Sequence, residues 1–245
     1  MRSKLAQQFV PAANHEPRKG GKLPDMLVLH YTGMQSTKDA LEKLTSSESG
    51  VSCHYLVDEE GQIIQMVSEA ERAWHAGISF WQGERDLNSA SVGIEIANPG
   101  HEFGYVDFPE AQMQAVVELA RDIMARHDMR PERVLAHSDI APLRKQDPGE
   151  KFNWFRLHQE GIGHWVEPAP IREGKQFALG AEGQPVSALQ GLYAAYGYEC
   201  EITGVYDART EAVVMAFQRH FRPAKVDGVA DASTLETLHR LITSL

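Results

Sequence analysis

The chain has 245 residues, 42% hydrophobic and 24% charged, an ordinary balance for a soluble globular protein, with room for one large domain or a medium domain plus a small one. A formal charge of −10 and a pI near 5.5 exclude a general affinity for nucleic acid, which needs a basic surface; glycine-rich phosphate loops and RNP-type aromatic motifs are absent. No apolar run reaches the roughly 18 residues that a membrane helix needs.

The first residues, "MRSKLAQQFVPAANHEPRKGG", carry basic side chains but lack the apolar core of a secretory signal, so residues 1–22 read as an N-terminal extension. Cytoplasm and cell envelope both stay open as locations. "MLVLHY" (26–31) is a short apolar run with the look of a buried strand. "STKDALEKLTS" follows as a helix, with Ser36 and Asp39 in capping-box spacing. "SCHYLVDEEGQIIQMVSE" reads as two strands joined by a turn at 59–61. "SVGIEIAN" is a further strand, with Ile94 and Ile96 on one face and Glu95 on the other, because side chains alternate along a strand.

"DFPEAQMQAVVELARDIMARH" is an amphipathic helix with Asp107 and Glu110 placed as a capping-box-like start and an apolar stripe of Met113, Val116, Val117, Ala120 and Ile123. "RVLAHSDI" is the last strand. Alternation of strands and helices up to about Val166 predicts an α/β layered domain over 23–166. Residues 167–182, rich in Pro, Gly and charge, read as a linker. Beyond it, 183–245 turns helical in three segments near 186–196, 208–220 and 232–243. Gly204, Asp207 and Thr210 echo Gly228, Asp231 and Thr234, with the polar pairs placed as N-caps. Cys53 and Cys200 are far apart and outside any CxxC pattern, so they give no disulfide framework.

His30 and His137 end two predicted strands, and Asp147 lies in the loop ten residues beyond His137. A catalytic zinc takes three N/O ligands and leaves a position for water, and strand ends can bring distant residues together. Residue by residue, the alternative is two hydrogen-bonded buried histidines and an aspartate capping the turn before Pro148. Spacing alone does not decide between these.

The motifs taken in order do more. "LHYT" (29–32), "SCHYLVDEEGQI" (52–63), "AWHAG" (73–77), "SVGIEIAN" (91–98) and "AHSDIAPLRKQDPG" (136–149) together resemble the zinc-dependent N-acetylmuramoyl-L-alanine amidases of the type-2 amidase family, whose fold is shared with peptidoglycan recognition proteins. The resemblance implies a mixed central β-sheet flanked by helices, one zinc ion per chain held by His30, His137 and Asp147, Glu95 as the catalytic carboxylate, and Lys145 as the basic residue beside the metal. It suggests that Tyr31, Trp74 and His75 line a substrate groove. His54 is expected to be structural, and His101, His127, His158, His164, His220 and His239 have no partner pattern.

Residues 183–243 resemble a three-helix peptidoglycan-binding domain, a small all-α unit in which Leu189, Leu192, Val213, Phe217 and Leu238 serve as core. Such a unit would tether an enzyme to the wall and raise effective substrate concentration. The implied partner is peptidoglycan or a muropeptide, with a monomer expected. Competing readings are a non-catalytic recognition protein, a wall-anchoring protein, and a cytoplasmic amidase acting on anhydro-muropeptides.

Overall fold

The computed structural model describes residues 2–245. Eight strands form in chain order: β1 (Gln8–Phe9), β2 (His15–Pro17), β3 (Met26–Tyr31), β4 (Tyr55–Val57), β5 (Ile63–Gln65), β6 (Glu71–Ala73), β7 (Ser91–Ile96) and β8 (Val134–Ala136). Six of them make a mixed sheet in the order β1-β5-β4-β7-β3-β8, while β2 and β6 pair separately. The central strands β4, β7, β3 and β8 run parallel; within this sheet only the β4–β5 pair, joined by the expected turn, is antiparallel, as is the separate β2–β6 pair.

Helices α1 (Thr37–Thr45), α2 (Leu87–Ala90), α3 (Gly100–Phe103), α4 (Glu110–His127), α5 (His137–Ile140) and α6 (Trp154–Gln159) accompany the sheet. Ser36 caps α1 by accepting the Asp39 amide at 3.1 Å. The apolar stripe of α4 is buried against Leu27, Leu29, Val92, Ile94 and Ile96, which line one sheet face. The expected role of Asp107 at its start is not found. The helix begins at Glu110 with Pro109 as N-cap and no side-chain cap, and Asp107 instead pairs with Lys151 at 3.3 Å.

The N-terminal residues are woven into this domain. β1 extends the sheet, and Arg18 is buried with its guanidinium donating to the carbonyls of Glu69, Asn88, Ser89 and Ser91 at 2.8–3.2 Å.

Helices α7 (Gln184–Tyr196), α8 (Ala208–Phe221) and α9 (Ala232–Thr243) form the C-terminal unit. Its echoed turns repeat in three dimensions: Asp207 accepts the Thr210 amide and Asp231 the Thr234 amide, each at 2.8 Å. Residues 167–182 do not hang free. Ala169 bonds Ser233 and Thr237 of α9, and Phe177 pairs with Ala230. One apolar core joins the two units, running from Met26, Val28, Leu135 and Trp81 into Tyr193, Tyr196, Tyr198, Phe217 and Phe221. Burial of that many large side chains makes the C-terminal unit a fixed layer on the sheet's second face.

Candidate metal centre and active site

Parallel strands deliver their carboxyl ends to one edge of a sheet, where ligand sites in such folds gather. His30 is the penultimate residue of β3, beside its register partner Glu95 of β7, and His137 follows β8 directly as the first residue of α5. The sequence pattern extends the strand "RVLAHSDI" past His137. The chain instead turns helical there, so the ring swings back over the strand ends.

Asp147 returns to the same point because its carbonyl accepts the Ser138 amide at 3.0 Å, closing the loop on itself. Tyr105 donates its hydroxyl to the Pro148 carbonyl at 2.7 Å across the cis Asp147–Pro148 bond. Gly149 is required beside it: at φ +83°, a Cβ would lie 2.4 Å from the Tyr105 hydroxyl.

His30 Nδ1, His137 Nδ1 and Asp147 Oδ2 lie 2.8, 2.9 and 3.2 Å from one another, all buried. The protons around them can be placed. Ser91 donates its hydroxyl to the Leu87 carbonyl, so it accepts from His75 Nε2 at 3.3 Å. That leaves His75 Nδ1 without a proton, to accept from His30 Nε2 at 3.0 Å. His137 Nε2 faces the Ala76 carbonyl at 3.1 Å and must donate to it. Both Nδ1 atoms are therefore lone pairs, and both point at a carboxylate oxygen.

Three acceptors with no proton between them repel one another unless a cation sits among them. The donor set, two imidazoles and one carboxylate with outer groups fixing the tautomers, fits a zinc-type ion.

Burial favours the neutral form of the His30 and His75 rings. Burial foremost, then the neighbouring His137, lowers His30 to about 4. Burial alone would raise the Asp147 carboxyl, but the His137 and His30 rings outweigh it and hold it well below the usual range. His75 is driven well below its ordinary value, again by burial first.

A cavity of about 390 Å³ opens over these atoms, walled by Tyr31, Trp74, Glu95, Lys145 and Gln146 among others. Glu95 stands on the sheet face opposite Ile94 and Ile96. One of its carboxylate oxygens, Oε2, is buried without a partner. Burial, and then the charge of Asp147, push its carboxyl well above the ordinary value, with Lys145 opposing. Tyr31 donates or accepts at His101 Nδ1, 2.9 Å away, and His101 reaches Glu150. Trp74 lies on the cavity wall. His75 borders it too, but both its ring nitrogens are engaged with His30 and Ser91.

Residues 20–150 match the family profile described as N-acetylmuramoyl-L-alanine amidase, and residues 182–238 match a putative peptidoglycan binding domain. The amidase AmiD of Escherichia coli K12 is 43% identical over 223 residues, covering 85% of this chain and 79% of AmiD. The chain belongs to the N-acetylmuramoyl-L-alanine amidase family. The structure of E. coli AmiD with anhydro-N-acetylmuramic acid-L-Ala-D-γ-Glu-L-Lys superimposes with a TM-score of 0.78 at 38% identity, covering 94% of this chain and 92% of that one. AmpDh3 of Pseudomonas aeruginosa, solved with an anhydromuramic pentapeptide, gives a TM-score of 0.77 at 31% identity over 95% and 96% of the two chains. These family relatives share the two-unit arrangement at nearly full length.

Several groups support the site from around it. Asn88 accepts the His75 and Ala76 amides at 3.0 and 2.7 Å. Arg144 donates to the Ala76 and Ile78 carbonyls, both at 2.7 Å. Gly93 sits under His75, where a Cβ would come within 2.7 Å of the ring. Each is an ordinary residue type made specific only by what the fold packs against it.

Proposed function

We propose that this chain is a zinc-dependent N-acetylmuramoyl-L-alanine amidase that cleaves the amide between the lactyl group of N-acetylmuramic acid and L-alanine in muropeptides or peptidoglycan. The observation that carries the zinc site is the trio of proton-free atoms on His30, His137 and Asp147, held so by His75 and the Ala76 carbonyl. Zinc held there would polarise the scissile carbonyl and lower the pKa of water from about 15.7 toward about 7.

The chain's own residues supply the remainder. Glu95 has a free carboxylate oxygen in the cavity wall and takes the proton of the attacking water. Its raised pKa suits it to hold that proton and pass it to the leaving amine. Lys145, on the same wall, offsets the negative charge that develops on the carbonyl oxygen. Tyr31 and Trp74 offer faces to sugar or peptide, while His75 orients His30. All of these groups come from one chain, so a monomer suffices. A recognition protein without catalysis would have no use for an unpartnered carboxylate beside a ligand trio.

Mass spectrometry of products from intact sacculi, run beside anhydro-muropeptides, tests the reading. Released stem peptides with a free L-alanine amine, lost on chelation and regained with zinc, are expected. Cleavage at another bond, or activity indifferent to chelation, would sink it. Comparing the two substrates also separates action on polymer from action on small turnover products.

A further inference from the structure

The last turn of α8, in the C-terminal unit, places two consecutive buried residues against the loop that carries His137 and Asp147. His220 Nδ1 donates to Asp139 Oδ2 at 2.7 Å, and the Tyr198 hydroxyl donates to Asp139 Oδ1 at 2.7 Å. The Ala136 amide, at the very start of α5, donates to the same carboxylate at 2.8 Å. Asp139 is 1% exposed, so these donors are what keeps a buried charge in place. The His220 ring is itself clamped, stacked on Trp154 at 3.7 Å. At the loop's other end Arg219 donates to Gln146 Oε1 at 3.3 Å and lies 4.0 Å from the Glu150 carboxylate. Gln146 immediately precedes Asp147.

We infer that the C-terminal unit is a working part of the metal site, with Tyr198, His220 and Arg219 as positioning residues that hold both ends of the loop bearing two ligands. The inference rests on reading His137 and Asp147 as metal ligands. Its physical basis is tolerance: a ligand set works only within about 0.5 Å of its geometry, and the groups that fix ligand orientation govern affinity. Asp139 ties the first turn of α5, hence the His137 ring, to the sheet end; two of its three donors belong to the C-terminal unit. A unit that served purely as a wall tether would need no buried polar bonds to this loop.

The two roles separate on a small soluble muropeptide, whose capture needs no wall binding. Zinc affinity is measured by chelator competition on the full chain, alongside kcat and KM. The visible spectrum of the cobalt-substituted protein reports ligand geometry. His220→Leu and Tyr198→Phe are expected to weaken zinc binding and lower kcat by roughly 10-fold, with KM little changed and the cobalt bands shifted. His220→Asn, which keeps a donor at the δ position, restores most of the loss. Should the Leu variant fail to fold, Tyr198→Phe, which removes a single oxygen, carries the same test. Folded variants with native zinc affinity, spectrum and kcat, deficient only on sacculi, would overturn the inference in favour of a tether. Zinc titration of His137→Ala beside the unaltered protein keeps a wrong ligand assignment distinguishable, since the two would then bind zinc alike.

Discussion

Each half of the molecule holds a buried polar cluster, and the two differ in how their protons are matched. In the C-terminal unit, Gln190 donates to Val205 and Thr210 at 3.0 Å and accepts the Gly204 amide at 2.9 Å. Gln218 repeats the pattern with Val229, Thr234 and Gly228. Every acceptor there meets a donor, and the cluster is complete as it stands. At the sheet end, His30, His137 and Asp147 are just as buried, yet three acceptors converge with nothing to share. Burial of polar groups is common to both. A surplus of lone pairs marks the one that binds something.

The comparison breaks most sharply if the surplus is removed. His137→Ala is expected to lose zinc, measured by metal analysis after dialysis, and to fall to background turnover. Retained metal and activity would dismantle the ligand set. Glu95→Gln should keep its metal while kcat drops on the order of 10²- to 10⁴-fold, because it would delete the proposed proton acceptor and leave the proposed ligands alone. Unchanged turnover would take Glu95 out of the mechanism.

The parts of this site that were legible in the sequence are those set by strand ends. His30 closes an apolar run, Glu95 opposes two isoleucines, and His137 follows a strand, so period and punctuation placed them, while only the resemblance of the ordered motifs to the amidase family singled them out. Their meeting was not legible, since it depends on β7, β3 and β8 lying side by side although 37 residues separate the end of β7 from the start of β8. The C-terminal helices and their capped, echoed turns were readable for a similar local reason. What escaped were the groups defined by packing alone. His220 and His101 looked partnerless because Asp139 and Tyr31 lie 81 and 70 residues away. Arg18 fell in a stretch without periodicity, though its guanidinium is buried among four carbonyls. The shared core of the two units escaped for the same cause: no local pattern reveals that Tyr196 and Tyr198 pack on Trp81.

Acid sharpens the contrast, because the sheet half buries neutral imidazoles whereas the helical cluster is built on amides, hydroxyls and capping carboxylates and holds no imidazole. Unfolded histidine takes a proton near pH 6.5, but burial, and then His137, delay His30 to about 4. Burial, and then Arg18, delay His54 to about 3. Between those limits the native state binds fewer protons than the unfolded one, so stability is present above about pH 6.5 and is lost as pH falls through the window. Fully realised, the loss is on the order of 3 kcal/mol for His30 and about 5 kcal/mol for His54. Glu95 runs the other way: its raised pKa makes the native state bind more protons, so acid relieves part of its burial cost. With His30, His54 and His75 all depressed by burial against one raised carboxyl, the metal-free protein should show a lower urea midpoint at about pH 5 than at about pH 7.5. A midpoint that does not move would mean that these rings are not buried as neutral species.

A smaller effect isolates the relay. His75→Leu keeps the ring's volume roughly but removes the acceptor that holds the His30 proton, so His30 can turn its protonated nitrogen toward the metal position. Zinc affinity is expected to fall 10- to 100-fold, the usual cost of losing a group that orients a ligand. Gly93→Ala should move affinity in the same direction, since its added methyl presses on the His75 ring. Native affinity in both variants would mean that His30 is oriented by the sheet alone.

The smallest effect belongs to the matched cluster and checks the other side of the comparison. Asp207 accepts both the amide and the hydroxyl of Thr210 at the start of α8, at 2.8 and 2.9 Å. Asp207→Ala removes an N-cap on a helix whose far end reaches Asp139, some twelve residues along. The cap is half-exposed and water can replace it, so the loss should be about 1 kcal/mol of stability by urea denaturation, with zinc affinity unchanged. If instead the metal weakened along with the fold, the last turn of α8 would be sensitive to fraying at its first. The helix would then transmit strain along its length, and the holding of the ligand loop would rest on the whole C-terminal bundle rather than on the few side chains that touch the loop.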